Sequence, residues 1–420
     1  MLKSRRPSGS RRVRKLKLAW PSFGKKDTGY GSASLPALLS AVFGGGASKS
    51  GTTVTVDTAL QVTVVLACIR VIAEGVAQVP FKLMRKDGRN RLDASDHRLY
   101  DVLHRRPNPW MTSFEFRETM TMRAALCGNA YAFINRVGSE GEVAELIPIP
   151  GSVKPVCADD CTLTYEVRGP KGNVKTFPAE AIWHWRGPSW NGWQGMDILK
   201  LAREAVGLAM ATEEMHAKLH ANGVRPQGLY SVEGTLSTTQ YKELRKWFDD
   251  EYGGAHNAAK TMILDKNAKF TPTTLSGLDA QHLETRRFQV EEMCRPWRVL
   301  PIMVGFADKA MTFASAEQMF LAHVVHCLSP WYERIEQSAD VNLLSDKERR
   351  AGFYTKFITA GLLRGAMKDM ADYLVRLTTN GIMTRNEGRD KLDLNPIDGL
   401  DEPLTPANMN VGAEPEKDKD

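Results

Sequence analysis

The sequence predicts an α+β fold, on three observations. Short alternating or apolar runs, separated by turn residues, crowd the first half of the chain. Long helical periods dominate the second half, interrupted by one stretch that reads strand, helix, strand, strand. At 420 residues, 42% hydrophobic and 25% charged, the chain has a globular composition and room for two or three domains.

Residues 1–53 stand apart as a basic, Gly/Ser-rich arm. The first 26 carry ten Lys or Arg and no acid, and without those ten charges the net +7 of the whole chain becomes −3. Such a stretch has too little apolar mass to offset its ordering entropy, so disorder is expected, with folded structure starting near Val54. The body is therefore not a DNA-coating basic surface, and the arm itself receives no definite role.

Apolar spacing (Leu60, Val64, Ala67, Cys68, Val71, Ile72) predicts a helix over residues 57–79, stopped by Pro80. Lys86-Asp87-Gly88 reads as a hairpin turn. Ser113 is expected to cap a helix over 114–126, with Glu115 and Glu118 in its first turn and Gly128 ending it. Strands follow at 130–137, 143–149, 153–157, 163–168, 174–177 and 181–185, then turns over 187–195. A helix over 196–221 ends at Asn222-Gly223. The inserted module spans 223–277, with strands at 228–232, 261–264 and 270–274 around a helix over 237–252. A helix over 280–299 is bent by Pro296. A long one over 313–344 is kinked by Pro330, because proline removes a hydrogen bond and clashes with the preceding turn. Residues 354–360 and 368–380 read as shorter helices, and 401–420 as a flexible acidic tail.

Six scattered cysteines in mostly apolar surroundings read as reduced, partly buried thiols. No secretory signal is evident, and the most apolar run is broken by Arg70, Glu74 and Gln78, which excludes a spanning helix. Gly46-Ala47-Ser48-Lys49-Ser50 misses the phosphate-loop pattern by having Ser48 where glycine must precede the lysine. His216 and His220 share a helix face, but Ala217 stands where a zinc protease needs glutamate. His323, His326 and Cys327, and the pair Cys157 and Cys161, lack complementary ligands at zinc spacing. No catalytic residue, cofactor or metal is expected, and the protein reads as a non-enzyme.

Several blocks recur in a fixed order: Val65-Leu66-Ala67-Cys68-Ile69-Arg70 running to Val79-Pro80; residues 97–103, then Arg106-Pro107-Asn108-Pro109 and Met111-Thr112; Gly128-Asn129-Ala130-Tyr131 and residues 146–150; Leu300-Pro301 with Gly305; residues 314–318; Leu328-Ser329-Pro330; and residues 383–389. Together they resemble the Hong Kong 97-type family of phage portal proteins, over nearly all of residues 54–400. Each block is weak alone; their order is what is specific.

The resemblance implies a portal fold and a homo-oligomeric ring, usually of twelve subunits. The ring would be a channel at one capsid vertex for packaging and ejection of double-stranded DNA. An α/β wing would span 54–195, the stem helices 196–222 and 278–299, a small α/β clip 223–277, the tunnel loop 300–312, a long kinked helix 313–364 and a helical crown 365–400. Implied partners are DNA, the terminase large subunit, a head-completion or adaptor protein, and the major capsid and scaffold proteins. The implied location is the virion, with host cytoplasm during assembly and no membrane. Met303, Lys309 and Met311 would face the channel, Lys309 as a sparse cationic girdle; on residues alone it is an ordinary solvated lysine. Asp249, Asp250 and Glu251 would dock the motor and later the connector, with Trp247, Phe248 and Tyr252 as clip core. Arg286, Arg287, Arg295 and Arg298 read as ion-pairing, with Arg287–Glu291 at i,i+4. Trp183, Trp185, Trp190 and Trp193 read as core or subunit packing. The alternatives are a different head–tail connector ring or a terminase-like enzyme; the latter needs a nucleotide loop and an acidic nuclease cluster, which the sequence lacks.

Overall fold

The computed structural model describes residues 46–139, 141–169, 172–221, 228–231, 237–252, 269–272, 278–306, 313–359, 362, 367–392 and 394–404, and within them the protein is mixed helix and sheet. Its first element lies inside the expected arm: β1 (Gly46–Ala47) pairs with β2 (Thr53–Val54). Ser48 is buried between them, and Thr52 Oγ1 donates to Gly207 O at 3.0 Å. Residues 46–53 are thus not part of a disordered tail. Their hydroxyls are satisfied by one another and by a distant helix, a contact that composition does not show.

The helix expected over 57–79 is two, α1 (Val56–Gln61) and α2 (Thr63–Ala77). Thr55 and Thr58 form a reciprocal cap on α1, and Val62 leaves helical space with ψ 111°. β3 (Phe81–Asp87) and β4 (Asn90–Asp93) make the expected hairpin. α3 (Arg98–His104) precedes α4 (Ser113–Cys127). The cap of α4 is Thr112 rather than Ser113, because Thr112 and Glu115 complete a capping box. Ser113 Oγ donates instead to Leu103 O, at 2.8 Å.

β5 (Asn129–Val137) sits between β6 (Glu142–Pro148) and β10 (Ile182–Arg186) in one antiparallel sheet. β7 (Ser152–Cys157), β8 (Leu163–Arg168) and β9 (Val174–Pro178) form a second. All six strands lie close to where alternation placed them. The next helix breaks at Ala202 into α5 (Ile198–Leu201) and α6 (Arg203–Ala221). β11 (Gly228–Ser231) pairs with β12 (Lys269–Pro272), and α7 (Thr238–Tyr252) lies between them in sequence. The strand expected at 261–264 lies outside the described residues. α8 (Leu278–Cys294) gives way to a 3-10 turn, Arg295–Trp297, at Pro296.

The long kinked helix is α9 (Phe313–His323), a π-helical turn Val324–Leu328, and α10 (Ser329–Asn342). The irregularity lies one turn before Pro330: Ser329 N–H reaches back to Val324 O, so the extra residue is absorbed ahead of the proline. α11 (Asp346–Arg350) leads to β13 (Phe353–Phe357), where a helix was expected. Phe353-Tyr354-Thr355-Lys356-Phe357 also alternates, and the outer edge of β3 decides between the two periods. β13 pairs there in register, and Phe357 stacks on Phe81 at 4.3 Å. Its outward N–H groups are accepted by Asp340 Oδ1 (from Thr355) and Glu336 Oε1 (from Phe357), each at 2.7 Å, which closes the sheet edge. α12 (Met367–Thr379) and α13 (Arg385–Lys391) are the last of the described helices.

One large core joins α2, α4, β3, β5, β10, α8 and α10, with α4 packed along α2. A smaller one, around Ile149, Tyr165 and Ile182, lies under the second sheet.

Candidate functional site

The blocks singled out in sequence prove to be buried fastening points. Gly128 ends α4 with φ +73°, and a Cβ there would stand 1.9 Å from Met196 O. Only glycine permits both the left-handed turn and that approach. Asn129 beside it clamps the segment leading into α5. Its Oδ1 accepts Gly195 N–H at 2.7 Å and its Nδ2 donates to Gly195 O at 2.9 Å and Cys127 O at 3.1 Å. His184 Nε2–H donates to the same Oδ1 at 2.9 Å, and its Nδ1 accepts from Tyr165 OH at 3.2 Å. Burial, with Arg186 adding to it, holds the His184 imidazole neutral down to about 3. Gly128 and Asn129 therefore fix where the rod of α5, α6 and α8 leaves the core.

Asn108 does the same for its loop. Its Oδ1 accepts Met111 N–H at 3.0 Å and its Nδ2 donates to Leu146 O at 3.0 Å. Near the C-terminal end, Asn386 and Ile397 exchange two hydrogen bonds of 2.9 Å. Leu328 packs over Gly75, where an added Cβ would lie 2.8 Å from its Cδ2, and Tyr332 OH donates to Gly75 O at 2.8 Å. So α2 and the bent helix touch at close range. Arg117, which sequence reasoning passed over, is buried and donates to Ala77 O (2.7 Å) and Leu103 O (3.3 Å), satisfying the carbonyl ends of α2 and α3. Its burial lowers the guanidinium to about 10. The signal that could have found Gly75 is a glycine inside an apolar helical run, which marks close approach; nothing in the sequence marks Arg117.

The rod itself is α6 beside α8, with Gln289 Nε2 donating to Thr212 Oγ1 at 3.2 Å. Leu199, Ala202 and Val206 are buried in the main core, and Met210 is partly buried against it. The stripe left bare is Leu201, Leu208 and Met215. Just past α8, Arg295 pairs with Glu292 and also lies over the Phe288 ring. Arg287 and Glu291 are both exposed on α8.

Met303 is half-buried on a 3-10 turn, Pro301–Val304, packed against the main core. Lys309 and Met311 lie outside the described residues. Asp250 is exposed on α7; the side chains of Asp249 and Glu251, and those of Phe248 and Tyr252, are outside the description. Trp247 is 40% exposed, so it is not the buried core residue expected. The tryptophan cluster divides. Trp183 and Trp185 are buried 5.1 Å apart, edge to face, whereas Trp190 is almost fully exposed. Cys68, Cys127, Cys294 and Cys327 are buried free thiols, and Cys157 and Cys161 are exposed. Among the described residues no three His, Cys, Asp or Glu converge as a metal site, and no helix is long and apolar enough to cross a membrane.

A family model described as "Phage portal protein" matches residues 63–393. The portal protein of Enterobacteria phage HK97 is 29% identical, over 81% of this chain and 81% of its own length. The probable portal protein of Streptomyces phage phiC31 is 30% identical, over 89% of this chain and 84% of its own. Among solved structures, a chain from the neck of a native gene transfer agent particle, computed with C12 symmetry, superposes with a TM-score of 0.58 at 21% identity, covering 86% of this chain and 99% of that one. That last likeness speaks to the fold.

Proposed function

Because this chain belongs to the phage portal protein family of the Hong Kong 97 type, we propose that it closes into a twelve-subunit ring at one capsid vertex. Double-stranded DNA would pass through its axis on packaging and ejection. The observation that carries the reading is the α6–α8 rod, anchored at Gly128 and Asn129 and flanking an inserted module, in a chain that matches the family from residue 63 to 393. The C12 symmetry of the gene transfer agent neck supports the number.

In this reading the core is the wing, α6 and α8 the stem, residues 223–277 the clip and α12–α13 the crown. Residues 300–312 are the tunnel loop, with Met303, Lys309 and Met311 toward the DNA. A body of net charge −3 suits a conduit, since each base pair brings about two phosphate charges and many cationic contacts would hold DNA in place. Asp249, Asp250 and Glu251 at the clip would meet the terminase large subunit and then a head-completion or adaptor protein. The ring would assemble in host cytoplasm against capsid and scaffold proteins, and would work without cofactor or catalysis.

Electron microscopy of the purified chain should show rings with an axial hole. A mass that stays monomeric at every concentration, or ATP hydrolysis by the chain alone, overturns the reading. Lys309→Ala should leave rings intact but alter DNA retention or packaging; normal filling would remove Lys309 from the channel.

A further inference from the structure

Four of the six cysteines are buried, and three of these stand where the rod meets the core. Cys68 lies on α2, Cys294 is the last residue of α8, and Cys327 lies in the π-helical turn with its Sγ 3.7 Å from Trp297 O. The Cys68 thiol donates to Cys294 Sγ at 3.7 Å, across 226 positions of sequence. A disulfide holds its sulfurs about 2 Å apart, so each has to travel only ~1 Å. α8 stops at Cys294, and the chain turns away through Arg295–Trp297 to Arg298, at φ +56°. Helix ends open locally more readily than helix middles. Arg295, the next residue, is exposed, so such an opening lets a small solute reach Cys294.

The two thiols are unequal. Cys294 accepts the S–H of Cys68, which favours its thiolate and lowers it below the ordinary thiol value. Cys68 gives that hydrogen bond and is buried, and both push it upward. The pair thus has one nucleophilic sulfur and one sulfur placed to resolve what forms on it.

We propose that Cys68 and Cys294 are a site of reversible oxidation, at which a peroxide joins them in a disulfide that fastens the base of the rod to α2. The Cys294 thiolate attacks one peroxide oxygen, the O–O bond breaks, and the departing hydroxide takes up the thiol proton as water. Cys294 is then a sulfenic acid. The Cys68 sulfur attacks the Cys294 sulfur, the S–O bond breaks, and a second water leaves with the Cys68 proton. Two thiols have lost two electrons, and the peroxide has gained them. The use of the bond rests on the reading of α6 and α8 as the stem of a particle that leaves a reducing cytoplasm; its formation does not.

The test uses the full chain with Cys157→Ser and Cys161→Ser, which removes the two exposed natural thiols. The folded protein is held in dilute hydrogen peroxide, quenched with catalase, denatured in a thiol-alkylating reagent and digested without reduction. Mass spectrometry should find the Cys68 peptide joined to the Cys294 peptide, with Cys127 and Cys327 alkylated. The melting temperature should rise by about 5 °C, because the bond closes a long loop, and dithiothreitol should reverse the rise. Cys68→Ser should abolish both effects and leave Cys294 as a sulfenic acid that dimedone traps, whereas Cys327→Ser should leave the bond intact. Alkylation of both Cys68 and Cys294 after oxidation, a bond from either to Cys327, or a melting temperature that does not rise overturns the proposal. Each readout is made on the purified chain whether or not it forms rings, so a bonded chain without rings overturns the ring and keeps the bond.

Discussion

Gly128 carries two constraints at once, a positive φ and a carbonyl oxygen where a side chain would begin. Gly88 carries only the first: its φ is +60° and nothing lies within 4 Å of an added Cβ. Gly88→Ala should therefore cost about 1 kcal/mol, while Gly128→Ala should cost ~2–4 kcal/mol, because the segment entering α5 must move. Urea titrations of the two variants check this, and equal losses would show that the approach to Met196 is relaxed in solution. At this scale the sequence was partly legible. Glycine and asparagine side by side announced a turn, but not that Asn129 would join two segments far away in sequence, at His184 and Gly195, through one amide.

Between elements, α2 fits closely against the π-helical turn. Alanine for glycine inside a helix ordinarily gains about 1 kcal/mol. Gly75→Ala should instead lose about that much, since its Cβ would overlap the Leu328 side chain. In a Leu328→Ala background the same change should become stabilising. A double-mutant cycle by thermal melting measures the coupling, and additive effects would separate the two helices. Helix boundaries were the part of each element that sequence reading placed least well. Thr112, Val62 and Ala202 moved them because caps and local breaks depend on which backbone groups find partners. β13 was misassigned for a related reason. Five residues that fit two periods follow whichever neighbour offers hydrogen bonds, and here that neighbour is β3, some 270 positions earlier.

Across the whole molecule, pH reports on what folding buried. His184, His323 and His104 are all held below the ordinary imidazole value, mainly by burial. Their neutral forms belong to the folded state, so their contribution is full above pH ~6.5 and is lost as the unfolded chain takes up protons below it. Burial pushes Glu336, Asp340 and Asp197 upward, which works in the opposite sense as pH falls toward 5. Stability should drop from pH 7 to pH 5, and His184→Gln should flatten that slope by about 1.4 kcal/mol per pH unit below 6. Denaturant titrations at pH 7, 6 and 5 measure it; an unchanged slope would mean that His184 is protonated in the folded chain.

The strands of the first half, the two rod helices, the proline near the bend and the ordered blocks by which the family is recognised can all be read along the chain. Periodicity and turn chemistry are local, and a chain carries them wherever it folds. That residues 46–53 join the fold, that β13 is a strand, that the bend precedes Pro330, and which stripe of the rod stays bare emerge with the packed molecule. Each of those turns on a partner far away in sequence, and hydrogen-bond satisfaction and close packing are settled only when that partner arrives.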